Sequence, residues 1–288
     1  MFIRSMTTAL LGVLVLGGST LATAGSTRSV DPSDFAREAL VNLLARSHMV
    51  VQADEDLSFD TGSCIYAGFV KRGKSVSIVK DLDEDKSYMF VAAGDDDVTD
   101  VDIQVLRNGK VVAEDTMDDN EPYVKFTPSS SAEYTVKVIL YEADADSFVG
   151  LCCLSDDGWD VPVSRLDSAV NNILDSVDAV LNSQDGAFLQ ASNSWCIYGG
   201  VLESDSDWFS ITNIVLNNPP YLIVGTSDND DADVDLQLKR SGSIIASDTE
   251  DDNVPVVAVE KSGTYEVKIL NHGRPSLSMF TILDVTGE

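Results

Sequence analysis

The sequence predicts a mainly β protein of two tandem, jelly-roll-like antiparallel β-sandwiches, each preceded by an amphipathic helix. Three observations carry that prediction. A long segment recurs once, short runs alternate apolar with polar residues, and a helical apolar stripe precedes each copy. Residues 88–124 align on 221–257 without a gap, and 18 of the 37 positions are identical. Upstream, CIYAG at Cys64 answers CIYGG at Cys196; downstream, EYTVKVIL answers TYEVKIL. A period this long exceeds solenoid units, so each copy reads as a whole domain.

In chain order, residues 1–24 come first, with one cation at Arg4, an apolar run over 9–16 and small residues ending at Ala24. That order predicts a secretory signal peptide, and its apolar core is too short for a permanent span. The expected location is therefore extracellular or periplasmic. Residues 25–158 form helix plus sandwich one, and 159–288 form helix plus sandwich two.

The first helix places Ala36, Leu40, Leu43, Leu44, Val50 and Val51 on one stripe, with Asp31, Pro32 and Ser33 as an N-terminal cap. The second places Leu166, Val170, Ile173, Leu174, Val177, Val180 and Leu181 at spacings of three and four. Either each stripe packs on its own sandwich, or the helices pair and join the copies. Strands follow from period-2 alternation. Val101, Ile103 and Val105, then Tyr134, Val136 and Val138, alternate with polar neighbours. Val234, Leu236 and Leu238, then Tyr265, Val267 and Ile269, repeat the pattern in the second copy.

Charge restricts the partners. Against 48 Asp plus Glu stand 19 Lys plus Arg, a net charge of −29. A nucleic-acid binder needs a basic face that displaces counterions, and an anionic membrane surface selects for the same. Both are excluded as expected partners, leaving an extracellular protein or polysaccharide. Ordinary hydrophobic content, 44%, argues against disorder.

Ser206-Asp207-Trp208-Phe209-Ser210-Ile211, Tyr221, the run 233–238, a Gly turn and Ser262-Gly263-Thr264-Tyr265 together resemble the bacterial pre-peptidase C-terminal domain family. The resemblance covers about 90 residues of the second copy. In the first, Ser75-Val76-Ser77-Ile78 replaces the Asp-Trp-Phe stretch, and Ser131-Ala132-Glu133-Tyr134 lacks the Gly. It implies a jelly-roll-like sandwich, usually appended to secreted proteases. No ligand residues transfer from it.

The acidic clusters are the candidate site. Asn108-Gly109, like Ser241-Gly242, suits a two-residue hairpin turn. Counting outward from it sets Val105 against Val112, Asp102 against Asp115 and Asp235 against Asp248. Asp100 and Asp118 then lie near the first pair, and Asp233 and Asp251 near the second. Loop residues Asp95 and Asp97, with Asp228 and Asp230, complete each set. Like charges across a ladder are unfavourable unless exposed, protonated or bridged by a cation. Calcium, which takes six to eight oxygen ligands, suits such a place. A solvated acidic rim is the alternative.

Cys64, Cys152, Cys153 and Cys196 in an exported chain suggest two disulfides. One reading bonds Cys152 or Cys153 to Cys64 and the other to Cys196. A second joins Cys152 to Cys153 and Cys64 to Cys196; a third leaves buried free thiols. His48 and His272 stand in no catalytic motif, and GxSxG, HExxH and a phosphate-cradling loop are absent. The expectation is a non-enzymatic binding or adhesion module stabilised by calcium. The runner-up is an accessory protein of a secreted protease or the cell surface, without metal.

Overall fold

The computed structural model describes residues 32–184, 186–189, 194–203, 207–229 and 231–286. The expected signal peptide, Asp31, Ser206 and Asp230 lie outside the described residues. Among the described residues the molecule is mainly β, with antiparallel strand pairing and two helices. Helix α1 spans Pro32–Ala53 and is followed by β1 (Ser58–Phe59), β2 (Gly62–Val70), β3 (Ser75–Leu82), β4 (Tyr88–Gly94) and β5 (Val98–Arg107). Next come β6 (Lys110–Asp115), β7 (Tyr123–Phe126), β8 (Ala132–Ala143) and β9 (Ser147–Ser155). After α2 (Val163–Ser183) come β10 (Phe188–Leu189), β11 (Ile197–Leu202), β12 (Asp207–Leu216), β13 (Tyr221–Ser227) and β14 (Asp233–Arg240). The chain closes with β15 (Ser243–Asp248), β16 (Val256–Val259), β17 (Gly263–His272) and β18 (Ser276–Asp284).

One sheet of the first half runs β1-β9-β4-β7 with β2 also on β9, and the other runs β3-β8-β5-β6. Adding nine to each label gives the two sheets of the second half. The sequence repeat is therefore a repeat of strand pairing. In the four-stranded sheets alternation holds: Val101, Ile103, Val105, Val234, Leu236 and Leu238 are buried in the core, and their neighbours take the opposite face of the sheet, where most are partly exposed but Asp100 and Asp102 are buried. Strands β4, β9, β13 and β18 are buried along their whole length. Helix α1 covers β4 and β9, and α2 covers β13 and β18, so these strands bury both faces and read as near-continuous apolar runs. The helices also touch: Arg37 donates to Asn171 at 2.7 Å and approaches Asp175 at 3.7 Å. Both expected uses of the apolar stripes occur together.

The halves meet through their repeated CIYxG segments. A Cβ on Gly68 would stand 2.2 Å from the Ser194 carbonyl oxygen, and one on Gly200 would stand 2.4 Å from that of Gly62. These contacts are reciprocal, because both Gly68 to Gly200 and Gly62 to Ser194 are steps of 132. The equivalent rings of Tyr66 and Tyr198 meet edge-on at 6.1 Å, and the Cys196 amide donates to the Ala67 carbonyl at 2.9 Å. Contact of a residue with its own counterpart marks an approximate two-fold axis, the geometry of an isologous dimer interface within one chain. Trp195 reinforces the seam by donating its indole N–H to Ser77 O at 2.9 Å.

Beside the seam, Asp60 is buried against two lysines, Lys80 at 2.8 Å and Lys86 at 3.3 Å, and accepts from Ser155 Oγ at 2.7 Å. Burial pushes its carboxyl toward protonation, but the two ammonium groups prevail and hold it below the usual range.

The expected disulfides do not form: all four cysteines are buried free thiols. Adjacent Cys152 and Cys153 take opposite faces of β9, opposite Val91 and Phe90 of β4, while Cys196 is held by β18 through Ile282 N and Thr281 Oγ1. Burial raises all four thiols, Cys152 and Cys196 to about 12, which suppresses the reactive thiolate.

Gly200→Ala, placed against backbone and Phe209, should cost about 1–3 kcal/mol in urea unfolding. Asp60→Ala should cost about 3–5 kcal/mol by stranding Lys80, and Asp60→Leu paired with Lys80→Met should recover most of it. Thiol titration should find slow reaction in the native protein and four equivalents after denaturation.

Candidate cation site

Both hairpins carry the expected turns, with Asn108 and Gly109 at φ 49° and 73° and Ser241 and Gly242 at 50° and 78°. Arg107 pairs with Lys110, but a β-bulge follows. Val105 pairs with Ala113 rather than Val112, and Ile103, not Asp102, faces Asp115. In the second half Leu236, not Asp235, faces Asp248. The extra residue in β6 and in β15 slips the register by one, which turns Asp115 and Asp248 to the other side of the sheet. The expected like-charge pairs therefore do not exist.

Several repeated aspartates are instead acceptors for backbone amides. Asp115 accepts from Met117 N at 3.3 Å and Tyr123 N at 3.1 Å; Asp248 accepts from Glu250 N at 3.4 Å and Val256 N at 2.9 Å. Each ties its edge strand to the strand that begins the return. Asp95 accepts from Phe148 N at 2.7 Å and Asp97 N at 3.2 Å. Asp228 accepts from Leu277 N at 3.0 Å and is also gripped by Arg165, whose guanidinium stacks over Trp159. Among the described residues no cation pairs with Asp95 in this way. Burial raises its carboxyl to about 6, against the pull of its amide donors. Asp97 serves the same loop, its carbonyl accepting from Asp144 N at 2.9 Å.

A different set converges. Asp100, Asp102, Thr116, Asp118, Tyr141 and Glu142 line one cavity of about 370 Å³. Asp118 is brought there because Val101 N donates to Asp119 O at 3.1 Å, fixing the β6–β7 loop against β5. Opposite Asp100, β8 is irregular: pairing skips Tyr141, so Tyr141 and Glu142 both reach the cavity. Asp100 is 7% exposed and Asp102 is 8% exposed. Asp100 Oδ1 is buried without a hydrogen-bond partner. Burial raises the Asp100 carboxyl, and Asp118, Asp119 and Glu142 raise it further. Burial also raises Asp102, to about 6, with Asp100, Asp115 and Glu114 adding to the effect. Arg72 reaches Glu142 from the exposed rim at 3.4 Å.

The donors are all oxygens, as a hard divalent cation requires. Among the described residues no three His, Cys, Asp or Glu side chains already form a coordination sphere. The carboxylates line the cavity rather than closing on a point. Sequence reasoning named Asp100, Asp102 and Asp118 but missed Glu142, Tyr141 and Thr116. In the second half Asp233 faces His272, whose Nε2 lies 3.1 Å from Asp235 Oδ2. Asp251 follows Asp248 as Asp118 follows Asp115. His48 contacts Gln52 at 2.8 Å.

No family model and no curated protein matches the sequence. Among solved structures, similarity is found to the periplasmic g-type lysozyme inhibitor PliG of Aeromonas hydrophila, at 11% identity and TM-score 0.27 over 33% of this chain and 86% of that one. The tandem CBM51 modules of a family 98 glycoside hydrolase from Streptococcus pneumoniae match at 13% identity and TM-score 0.21, over 73% of this chain and 81% of that one. The C-terminal CBM6 of LamC from Zobellia galactanivorans matches at 14% and 0.20, over 34% and 90%. Likenesses this distant identify no ligand.

Asp95 provides a pH test. Its folded-state pKa, about 6, exceeds the ordinary 3.8, so the native state binds this proton more tightly and stability falls as pH rises from about 4 through 6. Asp95→Asn removes that term. Whatever the substitution costs outright, stability relative to wild type should climb by on the order of 2 kcal/mol between pH 4 and 7. A difference that stays flat would mean Asp95 titrates normally.

Proposed function

We propose that the chain is an exported, non-catalytic β-sandwich protein that holds calcium in the Asp100–Glu142 cavity and binds an extracellular protein or polysaccharide. In this reading the repeated sheets are two tandem jelly-roll-like sandwiches of the pre-peptidase C-terminal type, meeting near residues 158 and 159. The observation that carries it is the unpartnered, buried oxygen of Asp100 in a cavity with two further aspartates and a glutamate. A buried carboxylate left without a partner costs roughly 1–3 kcal/mol or more, a penalty that a bound cation removes. Ligand contact falls to surfaces such as that around Trp208, which is 49% exposed beneath the Lys268 ammonium at 3.9 Å. The accessory-protein reading is favoured by the Asp207-Trp208-Phe209 stretch and requires no metal.

Chelated protein should gain about 5 °C in Tm when calcium is raised to a hundredfold above Kd, the stabilisation there being about 2.7 kcal/mol. Asp100→Asn should abolish the gain. Absence of any calcium-dependent rise in wild type would overturn the calcium reading. Retention of glycan or matrix proteins that disappears with chelator would place the ligand-binding function under calcium control.

A further inference from the structure

The loop that carries Asp118 to the acidic cavity matches its counterpart in the second half bond for bond. The Asp119 carbonyl accepts from Val101 N at 3.1 Å and its carboxylate from Glu121 N at 2.9 Å. The Asp252 carbonyl and carboxylate accept from Val234 N and Val254 N, both at 2.9 Å. Asp119 N donates to Met117 O, and Asp252 N to Glu250 O, each at 2.8 Å. Asp115 and Asp248 close the two loops in the same way. These shared bonds are enough to shape the loop in either half.

One attachment is not repeated. From α1, the Arg46 guanidinium donates to the Asn120 carbonyl, reaches Asn120 Oδ1 at 3.4 Å and meets Glu121 Oε1 at 3.3 Å. Asn120 Nδ2 in turn donates to Val98 O at 3.2 Å, at the start of β5. The helices themselves superpose residue on residue: Asn42 donates to Gly94 O at 3.0 Å, and Asn172 donates to Ser227 O at 2.8 Å. Both Asn42 to Asn172 and Arg46 to Ser176 are steps of 130. The place of Arg46 is thus taken on α2 by Ser176, whose hydroxyl turns back to the Asn172 carbonyl at 2.9 Å. Arg165, the one cation in the α2 sequence, grips Asp228 instead.

We infer that Arg46 is a positioning residue for the acidic cavity: by clamping Asn120 and Glu121 to α1 it holds Asp118 among the lining residues, so that cation affinity in the first half depends on the docking of that helix. The inference rests on the calcium reading above and adds its regulation. Since the second loop takes the same course with a serine at this place, the arginine is not needed to shape the loop. What it adds is a rigid, forked tie to a helix that covers β4 and β9. It also gives Glu121 a countercharge beside a loop already bearing Asp118 and Asp119. A carboxylate held in place before binding loses less freedom when the ion arrives, and the linkage is reciprocal, so a bound cation secures α1 in turn.

The test is calorimetric titration of the chelated full chain with calcium chloride, with melting in chelator, followed by circular dichroism, as the separate measure of stability. Arg46→Met should weaken calcium binding by about tenfold, and Arg46→Lys by less, because an ammonium keeps the charge but not the fork. Asp118→Asn should weaken binding too, and adding Arg46→Met to it should cost little more, because the arginine acts through that carboxylate. Should Arg46→Met fail to fold, Arg46→Lys carries the same comparison. An Arg46 variant that melts lower in chelator yet binds calcium as wild type does would make the arginine merely structural, overturning the inference and leaving the calcium reading intact. Fully additive losses in the double variant would do the same. No binding to wild type would overturn the calcium reading itself, and the inference with it.

Discussion

Two backbones approach each other in the middle of this molecule at a distance that no side chain would permit. Gly68 lies against the Ser194 carbonyl and Gly200 against that of Gly62, and the reciprocity of these contacts fixes the halves about an approximate two-fold axis. Tyr66 on Tyr198, the Trp195 indole on Ser77 and the pairing of α1 with α2 all follow from that placement. The free cysteines belong to the same region: Cys64 and Cys196 open the CIYxG segments, and their burial is a consequence of how tightly the seam packs. The acidic hairpins belong to the other sheet of each half and are not called on to hold the halves together.

That division clarifies the acidity. A net charge of −29 could be read as one solvated surface, but the aspartates have separate duties. Asp95, Asp115, Asp228 and Asp248 accept backbone amides and hold loops, which is sufficient reason for both halves to carry them. Asp60 is a buried counter-ion for Lys80 and Lys86, with no acidic or lysine counterpart pattern in the second half. Asp100, Asp102 and Asp118 remain, lining an open cavity in which the buried Oδ1 of Asp100 has no hydrogen-bond partner, as is also true of Asp233 Oδ1 at the equivalent place in the second half.

Much of the fold was legible because two independent periodicities agree. Alternation along β5, β8, β14 and β17 gave the strands and their inward residues, and the repeat gave each reading twice. Register was not legible. Val111-Val112 and Ile244-Ile245 offer two similar side chains at the bulge, so composition cannot say which one pairs, and a one-residue slip moved Asp115 and Asp248 off the expected face. Asp230 lies outside the described residues. The cysteines misled because the expected export argues for oxidation, whereas pairing depends on side-chain direction that adjacent strand positions reverse. Glu142 carried one faint signal: the alternation of β8 breaks at Tyr141 and Glu142, two successive exposed residues before buried Ala143.

Tyr141 permits the most direct measurement of the central claim, that a cation of calcium type sits among Asp100, Asp102 and Asp118. A terbium ion bound there would lie beside a phenol able to sensitise its emission. Excitation of tyrosine should yield saturable terbium luminescence at one equivalent, displaced by calcium and lost in Tyr141→Phe without loss of the calcium-dependent rise in Tm. Emission that is absent, or that calcium leaves unchanged, would contradict it.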